Sequence, residues 1–284
     1  MAPTIGEALE HARRALAPSD QAHSDAAELV SRLLGLERGD LGPQHRRAVA
    51  PADWARLDAW LERRRSGEPV QYISGRAAFR SLDLAVGPAV LIPRPETEGL
   101  VEAVLGVLRA ERGRWPAPRV LDLGTGSGAI ALALASERPD WQVLATDVSE
   151  AALGIARANA RALALERVQF RRGSWLAPLG ADRFDLIVSN PPYVAADDPA
   201  LAALQHEPRL ALTPGNDALV ALREIIHGAP ARLLPGGWLL LEHGATQGAA
   251  VRRELALAGM RYIRSHPDLA GLERATEGQL NDQI

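Results

Sequence analysis

The chain has 284 residues, 47% of them hydrophobic and 24% charged, a composition typical of a soluble globular protein with one large domain or one large and one small domain. It contains no cysteine and no lysine, which excludes disulfides, thiolate metal ligands, cysteine nucleophiles and the lysine chemistry of P-loops and Schiff bases. The net charge of −3 argues against a dedicated duplex-DNA-binding protein, although not against a local basic patch.

No apolar run approaches the roughly 18 residues of a membrane-spanning helix. The N-terminal stretch is interrupted by Glu7, Glu10 and a pair of arginines, and it lacks the apolar core of a signal peptide. The expected location is therefore the cytoplasm.

Residues 1–74 are predicted to form a small helical domain. Apolar side chains recur at helical spacing over 25–34, and Gly35 is a plausible stop. A second helix opens at Pro51 and ends in three arginines at 63–65, which we interpret as a solvated end because cations suit a helix C-terminus. The position of this domain ahead of the rest of the chain suggests a role in substrate recognition.

Residues 75–94 are predicted to be a hairpin that links two domains. Hydrophobic side chains alternate over 82–86 and again over 90–92, with a Gly-Pro turn at 87–88 between them.

From residue 95 to residue 284 the pattern alternates between strands and helices. Strands are predicted at 120–123, 142–146, 168–171, 184–189 and 238–242, and helices at 97–109, 128–137, 150–163, 218–234 and 246–258. Two more segments, 260–265 and 274–280, fit a closing pair of edge strands. The predicted fold class is α/β: a mostly parallel seven-stranded sheet with helices on both faces.

A glycine-rich turn follows the first of these strands, and its members are Gly124, Thr125, Gly126, Ser127 and Gly128. Glycine suits a turn with unusual backbone angles that a ligand must approach closely. The second strand ends at Asp147, about 20 residues further on, where a carboxylate can accept hydrogen bonds from two ribose hydroxyls. The turn and the acid together predict a nucleoside-containing cofactor.

Two cofactors fit this turn. Nicotinamide dinucleotides place a pyrophosphate on the helix N-terminus and favour a third glycine, where this chain has Ala129. S-adenosylmethionine has no phosphate, so it needs the tight turn but not the anion cradle. The motif favours S-adenosylmethionine over a dinucleotide, and it disfavours a turn that packs without a ligand.

The fourth strand of this domain ends in an unusual run, Asn190, Pro191, Pro192 and Tyr193. Open parallel sheets bind ligands beyond the carboxyl ends of their strands, so Asn190 is expected to face the same crevice as the glycine turn and Asp147. The Asn190 side-chain oxygen and the Pro191 carbonyl can each accept one N–H of a substrate NH₂ group, which orients a poorly nucleophilic nitrogen. Tyr193 offers a flat face to a planar group. These residues predict methyl transfer to an amide or amine nitrogen.

With these motifs the chain resembles the class I methyltransferases that act on amino groups, which include DNA adenine, RNA guanine and protein glutamine enzymes. It is most similar to the HemK/PrmC family of release-factor glutamine methyltransferases. The similarity is carried by 67–75, 91–98, 122–128 and 190–193, with weaker echoes at 207–212, 241–244 and 268–271. The run Ile-Pro-Arg-Pro-Glu-Thr-Glu at 92–98 is highly specific, and the resemblance spans nearly the whole chain.

The resemblance implies a Rossmann-like class I methyltransferase fold. It also implies S-adenosyl-L-methionine as cofactor, S-adenosyl-L-homocysteine as product, and no metal. The implied partners are class I peptide-chain release factors, whose Gly-Gly-Gln glutamine would be the substrate; a membrane partner is not expected, and nucleic acid is disfavoured.

The resemblance also implies residue roles. The turn at 124–128 would wrap the methionine end of the cofactor, Asp147 would hold the ribose, and Trp175 would lie against the adenine. Asn190 would contact both cofactor and substrate, and with Pro191, Pro192 and Tyr193 it would hold the glutamine. Of these, Asn190, Pro191 and Tyr193 are the expected catalytic residues.

The sequence departs from the family in two places. Residues 213–218 lack the paired glycines and the Asp-Gly expected there, and Gln279 stands where arginine is expected. We interpret the first as part of a loop and the second as part of an edge strand, neither of which touches the chemistry. Glu242 and His243, at the end of the fifth strand, are interpreted as structural residues. The alternatives are a ribosomal-protein glutamine methyltransferase, a DNA or RNA amino-methyltransferase, and an inactive cofactor-binding scaffold or RNA-binding module.

Overall fold

The computed structural model describes residues 2–111 and 113–282, so the last two residues of the predicted 95–284 domain lie outside the described chain. The chain divides into two compact units, Met1–Arg76 and Ala77–Ile284.

The first unit is helical. It contains α1 (Ile5–Leu16), α2 (Ala22–Leu34), α3 (Pro51–Arg65) and α4 (Val70–Ser74), besides a short 3₁₀ turn. A capping box begins α1, because Thr4 accepts from the Glu7 amide while the Glu7 side chain accepts from the Thr4 amide. The helix α2 ends at Gly35 in the left-handed conformation, as predicted. Apolar faces of the four helices share one buried core.

The predicted linking hairpin is wrong in its second half. The strands that pair are β1 (Arg76–Phe79) and β2 (Leu82–Ala85), and the turn between them lies at Arg80 and Ser81. The turn predicted at 87–88 is present, since the Val90 amide donates to the Gly87 carbonyl at 3.0 Å, but it does not connect two paired strands. Val90 and Ile92 are buried but belong to no strand. The reason is a long-range contact: the Ile92 amide donates to the Glu207 carboxylate at 3.0 Å instead of to a neighbouring strand.

The second unit contains the predicted α/β fold. Its strands are β3 (Arg119–Leu123), β4 (Gln142–Asp147), β5 (Gln169–Arg172), β6 (Phe184–Ser189), β7 (Leu233–Glu242), β8 (Met260–Pro267) and β9 (Glu273–Leu280). They form a seven-stranded sheet in the order β5-β4-β3-β6-β7-β9-β8. The first five strands in that order are parallel, and β9 is antiparallel to both of its neighbours.

Helices cover both faces of this sheet. They are α5 (Pro95–Ala110), α6 (Ala129–Glu137), α7 (Glu150–Ala162), α8 (Arg209–Leu212), α9 (Val220–Gly228) and α10 (Gly248–Leu257). One apolar layer packs α5 and α6 on one face, and a second packs α9 and α10 on the other. All six residues of β6 are buried, as expected for a central parallel strand covered on both sides.

Two sequence-based predictions in this unit need correction. The helix predicted at 218–234 ends earlier, because β7 already begins at Leu233; a short apolar run cannot be assigned to helix or strand by periodicity alone. Of the two segments predicted as edge strands, only β8 lies at the edge of the sheet, because β9 lies between β7 and β8.

The strand order places a crevice at the carboxyl ends of β3 and β6. The chain leaves β3 towards β4 on one side and later returns to β6 on the other side, which makes this pair the switch point of the sheet. Leu123 and Ser189, the last residues of the two strands, are register partners.

Asn159 of α7 connects the loop after β3 to the hairpin strand β2. It is 1% exposed, accepts from the Ala85 amide at 2.7 Å, and donates to the carbonyls of Ala85 and Ser127 at 3.0 and 2.9 Å. The bond to Ser127 is buried and the two bonds to Ala85 are partly buried, so water competes little for them.

Replacing Asn159 with alanine therefore leaves several buried backbone groups without partners. We expect Asn159→Ala to lower the free energy of unfolding by about 1–3 kcal/mol, measured by urea denaturation. The matched control is Asn216→Ala at an exposed loop position, which should stay within about 0.5 kcal/mol of wild type. Equal effects of the two substitutions would contradict this account of Asn159.

Candidate functional site

A cavity of about 710 Å³ opens at the carboxyl ends of β3, β4 and β6. Most residues predicted for the site line it: Gly124, Thr125, Gly126, Ser127, Asp147, Trp175, Asn190 and Pro192. Three predicted residues lie beside it without lining it: Gly128, Pro191 and Tyr193. The volume lies within the roughly 300–1,000 Å³ of small-molecule sites.

The glycine turn is tight at both of its ends. Gly124 has φ +70°, and a β-carbon there would lie 3.2 Å from Cζ3 of the Trp175 ring. Gly128 has φ +86°, and a β-carbon there would lie 2.9 Å from Cδ1 of Leu132. The backbone is thus held in a conformation and at a packing distance that exclude other side chains. It forms a cradle into which a ligand can approach the main chain.

Asp147, the last residue of β4, forms a hydrogen bond with the glycine turn. Its Oδ2 accepts from the Gly126 amide at 2.9 Å, and its Oδ1 accepts from the Ser149 amide at 2.8 Å. Burial raises the pKa of Asp147, and the backbone hydrogen bonds oppose that change. Each carboxylate oxygen keeps a second lone pair, so Asp147 can hold the turn and still accept from ligand hydroxyls.

Trp175 is one of the residues that line the cavity. Its backbone is left-handed, with φ 42°, which is rare for a bulky residue and is found where the surrounding structure enforces it. The ring packs against Gly124 on one side and against the apolar layer of α9 and α10 on the other. It therefore combines core packing with an aromatic surface at the site.

Asn190 and Tyr193 are each held by a side chain from another element. Asn190 Nδ2 donates to Oγ1 of Thr97 at 3.1 Å, so Oδ1 is the atom left to accept from a bound group. The Tyr193 hydroxyl donates to Oε1 of Glu242 at 3.1 Å, and its carbonyl accepts from Gln247 at 3.0 Å. Burial and the neighbouring carboxylate raise the pKa of Tyr193, which keeps the phenol protonated.

Asp122 is a site residue to which the sequence reasoning gave no role. Its side chain is fully buried beneath the turn, where Oδ2 accepts from the Thr125 hydroxyl at 2.6 Å and from the Ala131 amide at 3.3 Å. Oδ1 has no hydrogen-bond partner among the described residues. Burial raises the pKa of Asp122 to about 7. The signal was available, since an acid two residues before a glycine turn at a strand end is an unusual place for a buried charge.

Part of the cavity lining comes from two distant segments, one with Arg94 and the other with Pro208. Arg94 and Glu207 form an ion pair between them, and Glu207 also accepts from the Ile92 amide. Thr213 and Pro214 also line the cavity, so the departure at 213–218 borders the site. The second departure, Gln279, lies in the inner strand β9, where it donates to the Gly236 carbonyl at 2.8 Å.

His243 is fully buried next to Glu242. Its two ring nitrogens contact the Gly244 carbonyl and the Thr276 hydroxyl at 2.9 and 2.7 Å, and burial lowers its pKa. These contacts join the end of β7 to β9. Across 2–111 and 113–282, no three His, Asp or Glu side chains are grouped closely enough to hold a metal ion. None of the helices described there has the length and apolar character needed to cross a membrane.

Solved structures with a similar fold are methyltransferases. A methyltransferase from Pyrococcus furiosus is 18% identical with a TM-score of 0.53, and the match covers 72% of this chain and 91% of that one. A 16S rRNA N2 G1207 methyltransferase from T. thermophilus, solved with AdoMet and guanosine, is 21% identical with a TM-score of 0.53, covering 72% and 50%. At these identities the similarity concerns the fold alone.

Sequence relatives are much closer. The methyltransferase small domain model matches residues 102–252, and the PrmC N-terminal domain model matches residues 7–75. Release factor glutamine methyltransferases from Xylella fastidiosa (strain Temecula1), Pseudomonas aeruginosa and Vibrio cholerae are 50%, 48% and 44% identical to this chain. These matches cover 90%, 93% and 98% of this chain and 92%, 95% and 98% of the relatives. The chain therefore belongs to the release factor glutamine methyltransferase family, and it is an S-adenosylmethionine-dependent methyltransferase.

Proposed function

We propose that the protein transfers the methyl group of S-adenosyl-L-methionine to the side-chain amide nitrogen, N5, of the glutamine in the Gly-Gly-Gln motif of class I peptide-chain release factors, and so modulates translation termination. The observation that carries this proposal is the position of Asn190 beside the glycine turn in one cavity, in a chain 44–50% identical to relatives named for that reaction. The proposed substrate implies the cytoplasm, where termination takes place.

The cavity fits the proposed cofactor. The turn at 124–128 offers the backbone cradle, Asp147 offers acceptors for ribose hydroxyls, and Trp175 offers an aromatic surface for adenine. Asp122 adds a buried carboxyl beneath the turn, with one oxygen that has no partner in the described part of the chain, and in its ionised form it favours a cationic ligand above it. When bound, S-adenosylmethionine supplies an electrophilic methyl group on a sulfonium. Nothing in this assignment needs a metal ligand.

The chain's part in the reaction is to orient a weak nucleophile. An amide nitrogen delocalises its lone pair into the carbonyl, so it reacts only when held in line with the methyl group. Asn190 Oδ1 and the Pro191 carbonyl accept the two N–H groups of the glutamine, and they favour the positive charge that develops on the nitrogen. Pro192 stiffens the backbone, and Tyr193 faces the planar amide. Asn190 also borders the cofactor.

Two related functions share the Asn-Pro-Pro-Tyr run. A ribosomal-protein glutamine methyltransferase would use the same grip, and the names of the close relatives disfavour it. A DNA or RNA amino-methyltransferase would need a basic surface for the nucleic acid, and a net charge of −3 disfavours that. The rRNA methyltransferase with a similar fold is only 21% identical to this chain, so it is not evidence for a nucleic-acid substrate.

The first test is methylation of a purified release factor with labelled cofactor, read by mass spectrometry of the Gly-Gly-Gln peptide. Wild type should add one methyl group to that glutamine. Asn190→Ala should lower kcat by about 100-fold or more, as expected for loss of a transition-state acceptor, while cofactor affinity changes little. Asn281→Ala is the matched control. A wild-type enzyme that binds cofactor but leaves this glutamine unmodified would overturn the proposed substrate.

A second prediction concerns cofactor binding. Asp147→Ala should weaken binding of S-adenosylhomocysteine by about 1–3 kcal/mol, because it removes charged acceptors and frees the Gly126 amide. Isothermal calorimetry measures this change. Asp197→Ala, at an exposed position, is the control and should leave the dissociation constant unchanged. An unaltered constant for Asp147→Ala would remove this residue from the cofactor site.

A third prediction uses the buried Asp122 carboxyl, whose pKa is raised by burial from 3.8 to about 7. Between those values the folded chain keeps a proton that the unfolded chain has lost, so wild-type stability falls as the pH rises, and the cost is complete above about 7. Asparagine does not titrate, so Asp122→Asn should gain stability relative to wild type between about pH 5 and about pH 8. Urea unfolding of the cofactor-free proteins measures the difference. A difference that stays constant with pH would show that Asp122 has an ordinary pKa.

A further inference from the structure

Thr97 is a buried polar residue for which the proposed function has no role. It belongs to the run at 92–98 that carries the strongest family resemblance, and it lies in the first turn of α5. Its side chain is 4% exposed, it borders the cavity, and its Oγ1 accepts the hydrogen bond from Asn190 Nδ2 at 3.1 Å.

We propose that Thr97 is a positioning residue that fixes which way the Asn190 amide faces. By accepting from Nδ2 it keeps Oδ1 turned to the cavity, where the substrate amide needs an acceptor. The inference rests on the proposed function, since it concerns the grip of Asn190 on an NH₂ group. It assigns Thr97 no contact with the reacting atoms.

The orientation matters because the two ends of an asparagine amide have opposite hydrogen-bonding character. Oδ1 only accepts, and Nδ2 only donates. If the Asn190 amide were turned over, its NH₂ would face the NH₂ of the substrate glutamine, donor against donor. The acceptor on which the grip depends would then point at Thr97 instead of into the cavity.

A hydroxyl can donate as well as accept, so a further interaction must explain why the Thr97 hydroxyl accepts from Asn190 instead of donating to it. Glu242 supplies it from the end of β7. Its carboxyl is 1% exposed, and Oε1 already accepts from the Tyr193 hydroxyl. The Thr97 hydroxyl is close enough to lower the pKa of Glu242, although no hydrogen bond of good geometry joins the two, and Oε2 has no partner in the described chain.

An ionised Glu242 has only acceptors to offer. The single Thr97 proton is therefore drawn towards the carboxylate, and the lone pairs of Oγ1 are left for Asn190. Burial raises the pKa of Glu242 to about 7, while Thr97 and Tyr193 oppose this change together with Arg274, and Glu96 adds to it. Above that pH the charge of the Glu242 carboxylate favours the orientation in which the Thr97 hydroxyl accepts from Asn190.

The test compares Thr97→Val with Thr97→Ser at about pH 8.5, where Glu242 is ionised. Valine keeps the shape of threonine and removes the hydroxyl, whereas serine keeps the hydroxyl and removes the methyl group. We expect Thr97→Val to lower kcat on the release factor by about 10- to 100-fold, and Thr97→Ser to stay within about threefold of wild type. The affinity for S-adenosylhomocysteine should be unchanged in both.

A packing role for Thr97 gives the opposite order, with valine tolerated and serine impaired. Wild-type kcat in the valine variant would overturn the inference and leave the proposed function intact. Failure of wild type to methylate the release factor would overturn the proposed function instead.

A second measurement does not depend on substrate. The side-chain NH₂ signals of Asn190 can be assigned in a ¹H–¹⁵N spectrum by their absence from Asn190→Ala. In the cofactor-free protein these signals should shift, and exchange faster with solvent, in Thr97→Val but not in Thr97→Ser. Unchanged Asn190 signals in the valine variant would show that Thr97 does not hold the amide, and this too would overturn the inference.

Discussion

The parallel pairing of β3 with β6 is the constraint on which the site depends. It sets Leu123 beside Ser189, and the Ser189 hydroxyl donates to the Leu123 carbonyl at 2.7 Å, so both strands end at the same level. One residue beyond these ends, β3 continues into the glycine turn and β6 continues into Asn190. A shift of one residue in this register would turn the side chains of β6 to opposite faces and move Asn190 away from the cavity. The apolar layers on both faces hold that register.

The site is also where the fold tolerates charges that stability alone would not favour. Asp122 and Glu242 each bury a carboxyl with one oxygen that has no partner within 2–111 and 113–282, and burial raises both pKa values to about 7. A buried carboxyl oxygen without a hydrogen-bond partner is costly, so two of them near the cavity indicate a functional demand. The two acids lie at the ends of β3 and β7, on either side of β6 in the sheet. Asp122 lies beneath the glycine turn and accepts from the Thr125 hydroxyl, and Glu242 accepts from the Tyr193 hydroxyl.

Local sequence was sufficient for the features that depend on local physics. Apolar runs predicted the parallel strands, and the glycine turn and the Asn-Pro-Pro-Tyr run marked the two strand ends that meet at the cavity. It was insufficient wherever a distant residue decides the outcome. Ile92 alternates as a strand residue would, yet its amide bonds to Glu207, 115 residues away. The inner position of β9 depends on pairing with β7, and no pattern within 273–280 reveals it.

The same distinction separates the two kinds of residue in the site. In the proposed function the motif residues supply the groups that meet ligands, and they are recognisable because that chemistry needs those residue types at fixed spacing. Their hydrogen-bond partners come from elsewhere in the chain: Thr97 lies 93 positions from Asn190, and Glu242 lies 49 positions from Tyr193. Such partners have no local signature, because any element packed nearby can provide a hydroxyl or a carboxyl. A sequence can therefore identify the reaction class before it identifies what holds the reacting groups in place, and only the second requires the folded chain.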